Sequence, residues 1–599
     1  MARQVLRQGQ LITTYGPGSM VDLPDDAVIV AGLENWAYES SDIPVIEEPR
    51  LVEKIRRLLD TPSVLLRSPP VSRDDGTGGF RPAVTVWRFP NWFVSQQVET
   101  NASGSRRRRV SHRNGLTNGK IVDANRKAHP VVPIRFVRAC KRGHVGDIDW
   151  KAFVHGQEHA ECMRDLWMEE RGTSGDLDAI FVVCECGAER AMSQAARLEL
   201  QALGRCNGSR PWLGPGTRER CGEPNRLLIR SASNAYFPQL LSVISIPDQS
   251  NALDEVVRSL WEQGLKIVQD ASWLAQVRQL PAIGSALQGI EDNKVLESIR
   301  RVREGTTEAS RPVKEVEFEA LANVPEERIG EDPGGVFFAR ALPRSSWQST
   351  ELDSIEKVTL VHRLREVIAQ VGFTRLEAQG ADIHGELDVD VQRAAISIDA
   401  NWVPAVETRG EGVFIQFKSQ AIQDWMQRQA VRDRAAMLVN GFRLWTEGHS
   451  GSSRQFPGVA YFMLHSLSHL LLNAIALECG YPSSSLRERI YAMPDKGMFG
   501  LLIYTGTSDS EGTLGGLVMT GREIGAHLKR ALDSAALCSN DPVCSEHAPV
   551  NRDGQLLLGA ACHGCLLVAE TSCEQRNDFL DRGLVVPIVT DAGAEFFAP

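Results

Sequence analysis

The sequence predicts an α+β, multidomain chain, made of zinc-stapled modules with mixed helical and short-strand segments. Three observations lead there. At 599 residues the chain exceeds what one hydrophobic core can organise, and about three or four domains are expected. Apolar residues recur at helical spacing in some stretches and as short runs bounded by glycine in others. Most of the 12 cysteines fall in clusters beside polar residues. The expected divisions are a mixed N-terminal domain over 1–133 and a Cys/His-rich, zinc-ribbon-like region over 134–240. A mainly helical region with linker follows over 241–355. A C-terminal α/β domain spans 356–599, with a zinc module at about 456–585.

Composition narrows the class. With 42% hydrophobic and 24% charged residues, this is an ordinary globular composition. Net charge is −10, so a basic nucleic-acid surface has to be local. The N-terminus Met-Ala-Arg-Gln-Val-Leu-Arg lacks a secretory apolar stretch, and no run is expected to approach the roughly eighteen apolar residues of a membrane helix. A soluble, cytoplasmic protein without a membrane partner is expected, and there clustered cysteines are metal ligands more often than disulfides.

Taken in order, Leu11-Ile12-Thr13 and Val28-Ile29-Val30 read as strands. The Gly16-Pro17-Gly18-Ser19 segment between them reads as a tight turn rather than a phosphate cradle. Residues 101–130 carry Arg106, Arg107, Arg108, Arg109, Arg113, Lys120, Arg126 and Lys127 against Asp123 alone. That composition predicts a mobile basic loop, with Arg106 to Arg109, Arg113 and Lys120 as candidate contacts to a nucleic-acid backbone. Leu253, Val256, Val257, Leu260, Leu265 and Val268 mark a helix over 251–269. Charge density over 300–331 predicts an exposed helix and linker, with a break at Pro333-Gly334-Gly335. Leu360, Leu364 and Val367 share a face of a helix expected over 358–371, and 394–398 reads as a strand. The apolar stretch from Tyr461 to Leu472 is a helix, Ser485 and Glu488 form a capping box for the next one, and 500–505 is a buried strand.

The chemistry is concentrated in cysteine and histidine. Cys562-His563-Gly564-Cys565 is a two-residue-spaced pair whose glycine lets both sulfurs face one point. Thiolates hold zinc at about 2.3 Å, and four of them close its shell, leaving no position for water. Five cysteines lie between 538 and 573, one more than a shell needs. Cys544, Cys562, Cys565 and Cys573 are assigned to it, and Cys538, which ends a helical pattern, is read as a buried thiol. A second site is expected from Cys184, Cys186, Cys206 and Cys221, each pair near glycine. A third candidate joins Cys140 and His144 to Cys162, with His155 or His159 between. His465 and His469 share one helix face, but Ser466 stands where a zinc protease needs its glutamate, so they read as hydrogen-bonded core residues.

Two rivals are weighed. A divalent-metal nuclease would use Glu411, Gln416 and Lys418, or Asp509 and Glu511. A pure protein-interaction scaffold would have no DNA contact. There is no Gly-x-x-x-x-Gly-Lys-Ser/Thr anywhere in the chain, so a P-loop motor would have to be another subunit.

Separated motifs in one order carry a resemblance. His465-Ser-Leu-Ser-His469, Ser485-Leu-Arg-Glu-Arg489, Asp509-Ser-Glu-Gly-Thr-Leu-Gly-Gly516 and the cysteines through Cys573 resemble the zinc-binding domain of MrfA-type helicases. Arg7-Gln-Gly-Gln10, Gly16-Pro-Gly-Ser19, Cys140 to His144 and Ser231-Ala-Ser-Asn234 resemble the DrmB family, helicase-associated subunits of the DISARM anti-phage system. This resemblance implies a non-catalytic zinc protein in antiviral defence, a heterodimeric DrmA-like helicase partner, a role in binding or recognising invading DNA, and the C-terminal four-cysteine cluster as metal site.

Overall fold

The structure is a computed structural model. It describes residues 6–24, 26–38, 44–71, 83–101, 104–123, 125–156, 161–172, 176–246, 249–304, 311–324, 335–347, 352–378, 381–387, 391–399, 401–449, 452, 454–506, 516–550, 555–589 and 592–597. Mixed helices and mainly antiparallel sheets make it an α+β, multidomain protein.

The N-terminal half is organised by an eight-stranded sheet. Its strands include β1 (Trp92–Ser95), β2 (Arg106–His112), β3 (Lys120–Val122) and β4 (Ala128–Pro133). Beyond β5 (Phe136–Ala139) and the helix α1 (Trp150–His155) come β6 (Leu166–Glu170), β7 (Ile180–Cys184) and β8 (Glu189–Ala191). The order is β8–β7–β6–β2–β1–β4–β3, so strands from either side of the 133/134 division share one sheet. This corrects the expected mobile loop. The arginine run is strand β2, paired with β6 from Arg106↔Glu170 to Val110↔Leu166. Arginine stems cover apolar surface while their heads pair, which composition alone does not reveal. Arg107 lies 4.1 Å over the Trp167 ring.

The C-terminal half is built on a seven-stranded sheet. It contains β9 (Phe237–Ile244), β10 (Ile355–Thr374), β11 (Trp402–Phe417), β12 (Leu486–Met493) and β13 (Met498–Thr505), in the order β9–β10–β11–β13–β12. Leu65–Arg67 joins β11 in parallel and Phe338–Ala341 joins β10. Strand β10 replaces the expected helix over 358–371. Its register slips between Val361 and Leu364, and a slip of that kind breaks strict alternation and imitates helical spacing. Beyond the slip the strand is buried on both faces, which erases alternation altogether.

Three further expectations change. Leu11-Ile12-Thr13 lies in a short helix, Gln10–Thr13. Residues 394–398 form no strand beyond a single bridge from Ala394 to Phe373. The 300–331 stretch contains α2 (Val313–Ala322), whose Lys314, Glu315 and Glu317 are buried. Each of these charges is paired: Lys314 to Glu574 at 2.7 Å, Glu315 to Lys496, and Glu317 to Arg489 on β12 at 2.6 Å.

The core of this half is the helix α3 (Val459–Cys479), packed against β12, β13 and the later helix α4 (Ile524–Ala535). By length and composition Val459–Glu478 could cross a bilayer, contrary to the expectation that no run approaches that. Most of it is buried inside the fold, as befits a central core helix. The segment after α4 has almost no regular structure, yet Leu557, Leu566, Phe579, Leu580, Leu584 and Val585 join the same core as α3.

Buried Arg375 ties the two halves together. Its guanidinium donates to the carbonyls of Gly143 (2.9 Å), Ala235 and Gly18. The Gly16–Ser19 turn, the Cys140–His144 turn and the 231–235 segment therefore converge on one side chain. Gly18 sits at φ +87° against the Phe373 ring, where a Cβ would come within 2.4 Å. The turn is thus packed backbone, not an open cradle.

Candidate metal centres

All eleven cysteines with described side chains are unpaired thiols, and each belongs to one of four clusters whose ligand atoms lie within 4.8 Å of one another. The C-terminal cluster is Cys538, Cys544, Cys562 and Cys565. Cys538 follows the end of α4, and its sulfur is 3.4 Å from that of Cys562. Cys544 and Cys562 each lie 3.7 Å from Cys565. Tetrahedral zinc with bonds of about 2.3 Å sets sulfurs roughly 3.8 Å apart. Backbone amides donate into the cluster: Asn540 to Cys538 (3.4 Å), Gly564 to Cys562 (3.3 Å) and Cys562 to Cys565 (3.3 Å). Such N–H···S contacts favour thiolates. The Cys544 thiol is drawn down to about 6, first by a hydrogen bond from Cys565 and, against burial, by the charge of Arg582. The donor set and its surroundings fit zinc.

The sequence grouping differs from this one: Cys538 stands where Cys573 was expected. The strand β12 separates the two by bringing Glu488, along with His465 and His469 of α3, to Cys573. The usable signal was the pair of knuckles, Cys538-x5-Cys544 and Cys562-x2-Cys565. Beneath the knuckle, Arg582 donates to the carbonyl of Ala535 (2.9 Å) and pairs with Asp541. Buried Asp581 takes a two-pronged pair from Arg434, both bonds 2.7 Å.

The N-terminal cysteines also regroup. Cys140, His144, Cys206 and Cys221 form one cluster; His155, Cys162, Cys184 and Cys186 form another. Two adjacent candidate sites had exchanged partners in the linear reading, because the order of knuckles along the chain is not their order in space. In the first cluster, Cys140 Sγ is 3.3 Å from His144 Nδ1, and the other ring nitrogen faces Glu219 at 2.8 Å. A carboxylate behind a ligating histidine fixes its tautomer and raises its basicity. The Cys206 thiol is drawn to about 4 by the hydrogen bond from Cys140, against its burial. Gly208, at φ +71°, lies so near Glu219 that a Cβ would meet its carbonyl at 1.7 Å. In the second cluster, His155 at the end of α1 points Nε2 at Cys186 (3.2 Å), and its Nδ1 bonds the carbonyl of Lys151 at 2.9 Å. Cys162 and Cys184 are 3.6 Å apart, and the Cys-Glu-Cys-Gly turn closes at Gly187 (φ +97°). The Cys186 thiol is lowered to about 6, first by the Ala188 amide and then by His155. His159 lies outside the described residues.

The expected capping box at Ser485 does not form. Glu488 is on strand β12, buried, and faces the two histidines of α3 at 2.8 Å (His465) and 3.2 Å (His469). The charges in Leu-Arg-Glu-Arg-Ile are paired inside the fold: Arg487 with Glu366 at 3.1 Å and Arg489 with Glu317.

The nuclease candidates are placed elsewhere. Glu411 is buried, and its carboxylate accepts from the backbone amides of Leu517 (2.7 Å) and Val518 (3.4 Å) at the start of the helix Gly516–Gly521. That is helix capping by an anion. Gln416 bonds Glu356 at 3.4 Å, and Lys418 precedes the helix Ser419–Met426. Asp509 and Glu511 lie outside the described residues.

Among the basic candidates, Arg107 pairs with Glu99 (3.5 Å), Arg109 with Asp165 (2.5 Å) and Arg113 with Asp26 (3.0 Å). Among the described residues, no ion pair is found for Arg106, Arg108 or Lys120, which leaves these three turned toward solvent in varying degree.

Comparison with known proteins agrees with this geometry. Residues 7–237 match a domain of unknown function, DUF8724, which spans the two N-terminal clusters and the Gly16–Ser19 and Ser231–Asn234 segments. Residues 467–566 match the MrfA Zn-binding domain and contain Cys538, Cys544, Cys562 and Cys565. A relative from Bacillus paralicheniformis (strain ATCC 9945a / NCIMB 11709 / CD-2), "DISARM protein DrmB", is 30% identical over 528 residues, 85% of this chain and 90% of the relative. With a zinc-binding domain at its C-terminal end and that likeness along nearly its whole length, the chain belongs to the DrmB family of DISARM proteins.

Proposed function

We propose that the chain is the non-catalytic subunit of a DISARM-type anti-phage complex, a zinc-stapled cytoplasmic scaffold that binds a DrmA-like helicase and helps to form its DNA path. The observation that carries this reading is the character of the metal clusters. Three of the four clusters pair thiolates with at most one histidine, an inventory suited to holding loops in place rather than activating water. Glu411, the carboxylate of the weighed nuclease arrangement, caps a helix. Nucleotide hydrolysis is left to the partner, since this sequence has no P-loop.

Arg106, Arg108 and Lys120 are the DNA contacts we assign, in place of the whole basic run. Phosphate contacts add to the salt dependence of affinity, by about 0.9 per contact in log–log slope for duplex DNA. The test uses the helicase complex reconstituted with full-length protein. The triple Arg106→Ala, Arg108→Ala, Lys120→Ala variant should bind duplex DNA more weakly and lower the salt slope by about 2 to 3. Arg107→Ala and Arg109→Ala, which remove internal pairs, should leave the slope unchanged. An unchanged slope in the triple variant favours the interaction-scaffold alternative. Cleavage of plasmid by the isolated chain with magnesium or manganese overturns the non-catalytic reading.

A further inference from the structure

Inside the C-terminal half, His465, His469, Glu488 and Cys573 converge with every side chain buried. They come from three elements: α3, strand β12 and the segment after the four-cysteine knuckle. We propose that these four residues form a separate, fully enclosed zinc centre of His, His, Glu and Cys donors at the heart of the fold.

Histidine orientation is the first support. His465 Nδ1 faces the carbonyl of Phe579 at 3.2 Å, and His469 Nδ1 faces that of Leu566 at 2.8 Å. A carbonyl only accepts, so each Nδ1 carries the proton and each neutral ring turns the lone pair of Nε2 inward. Both Nε2 atoms point at Glu488 Oε1, at 2.8 and 3.2 Å, and His465 Nε2 is also 3.1 Å from Cys573 Sγ. Backbone carbonyls holding the outer nitrogens of inward-facing histidines are the usual support of a metal site.

The charge balance is the second support. Without a cation, the inward nitrogens have to share protons with Glu488 and the Cys573 thiol, 3.1 Å from His465 Nε2, and with both rings charged beside one carboxylate the site would carry unmatched charge that burial opposes. Zinc with two neutral imidazoles, a carboxylate and a thiolate is neutral overall. The surroundings already suit the anions. Amides of Gln575 (3.3 Å) and Asn577 (3.1 Å) donate to Cys573 Sγ, the Glu574 amide donates to Glu488 at 3.3 Å, and the Ser468 hydroxyl donates to its other oxygen. Mixed nitrogen, sulfur and oxygen donors select a borderline cation such as zinc over magnesium or calcium. Enclosure leaves no open position, so the centre is structural.

The site lies partly outside the MrfA Zn-binding match, which covers residues 467–566 and so excludes both His465 and Cys573. It is nevertheless coupled to the knuckle, because Leu566, which receives His469, directly follows Cys565.

Full-length protein purified without chelator decides the matter by metal analysis and by an anomalous-scattering map at the zinc edge. Four zinc ions per chain are expected, with one anomalous peak between the Nε2 atoms of His465 and His469. Cys573→Ser should lose one equivalent and keep the other three. A wild-type map with peaks at the three cysteine-rich clusters and none here overturns the proposal, even if the variant fails to fold. Because each centre gives its own peak, the result is independent of the DNA and helicase reading.

Discussion

Exchanging Cys538 for Cys573 in the C-terminal shell has a measurable consequence. Cys538→Ser removes one of four thiolates whose sulfurs lie 3.4 to 3.7 Å from their nearest partners. Structural zinc in small modules contributes about 10–16 kcal/mol of apparent binding energy, or roughly 2.5–4 kcal/mol for each of four ligands if shared evenly. One ligand is thus worth a factor of about 10² to 10³ in affinity. That is comparable with much of the stability of a whole domain, about 5–15 kcal/mol. The assay is zinc release from full-length protein against a graded chelator, followed by metal analysis. Cys538→Ser should make one equivalent labile at chelator strengths the wild type withstands, and Cys562→Ser should release the same equivalent. The double variant should release no more than either single one. If the Cys538→Ser protein resists chelator as the wild type does, while its knuckle zinc is lost on changing Cys573, the structural grouping is wrong and the linear one right.

Other outcomes follow from buried charges. Asp581→Ala leaves Arg434 buried without its two 2.7 Å bonds; breaking a buried pair this way costs about 3–5 kcal/mol, read as a fall in denaturant midpoint. Arg375→Lys keeps the charge but loses the fork that reaches Gly18, Gly143 and Ala235. A loss of about 2 kcal/mol or more is expected in thermal unfolding, and proteolysis should open near residues 16–19 or 231–235 first. For Glu315, burial pushes the carboxyl up, but Lys496 and Arg311 more than offset this, so its pKa in the fold is lowered. A depressed carboxylate contributes stability above its unfolded pKa of about 4.3 and loses it as pH falls through the lower folded value. Unfolding curves between pH 6 and 3 should therefore show a shallower acid decline in Glu315→Gln; an identical decline would remove Glu315 from the account.

How much was legible in the sequence depended on whether local spacing matched spatial grouping. Cys562-x2-Cys565 reads correctly in one dimension because both thiols sit on one turn. Cys573 was misgrouped because its distance along the chain from Cys565 is short, whereas β12 supplies it with Glu488 and α3 with two histidines. His465 and His469 were correctly placed on one helix face, but their partners are 19 and 108 residues away, beyond any local pattern. The N-terminal clusters failed in the same way: Cys140 meets Cys221 across 81 residues. Strand β10 was missed because a register slip and two-sided burial hide its period. The arginine run was missed because Trp167, Asp165 and Glu99, the groups that accept it, arrive from other strands or the next hairpin arm. The polar face of α2 was missed for the same reason, its partners being Arg489, Lys496 and Glu574.

The apolar helix α3 also sets an order of assembly. Val459–Glu478 leaves the ribosome before Leu486–Thr505 and before Leu557 to Val585, the strands and loops that cover it. Until those last segments emerge and fold back, a span fit for a bilayer stands uncovered in water. Nascent chains stalled short of residue 586 should therefore be the ones that chaperones hold or membranes capture, and completion of the C-terminal segment is what shuts that window.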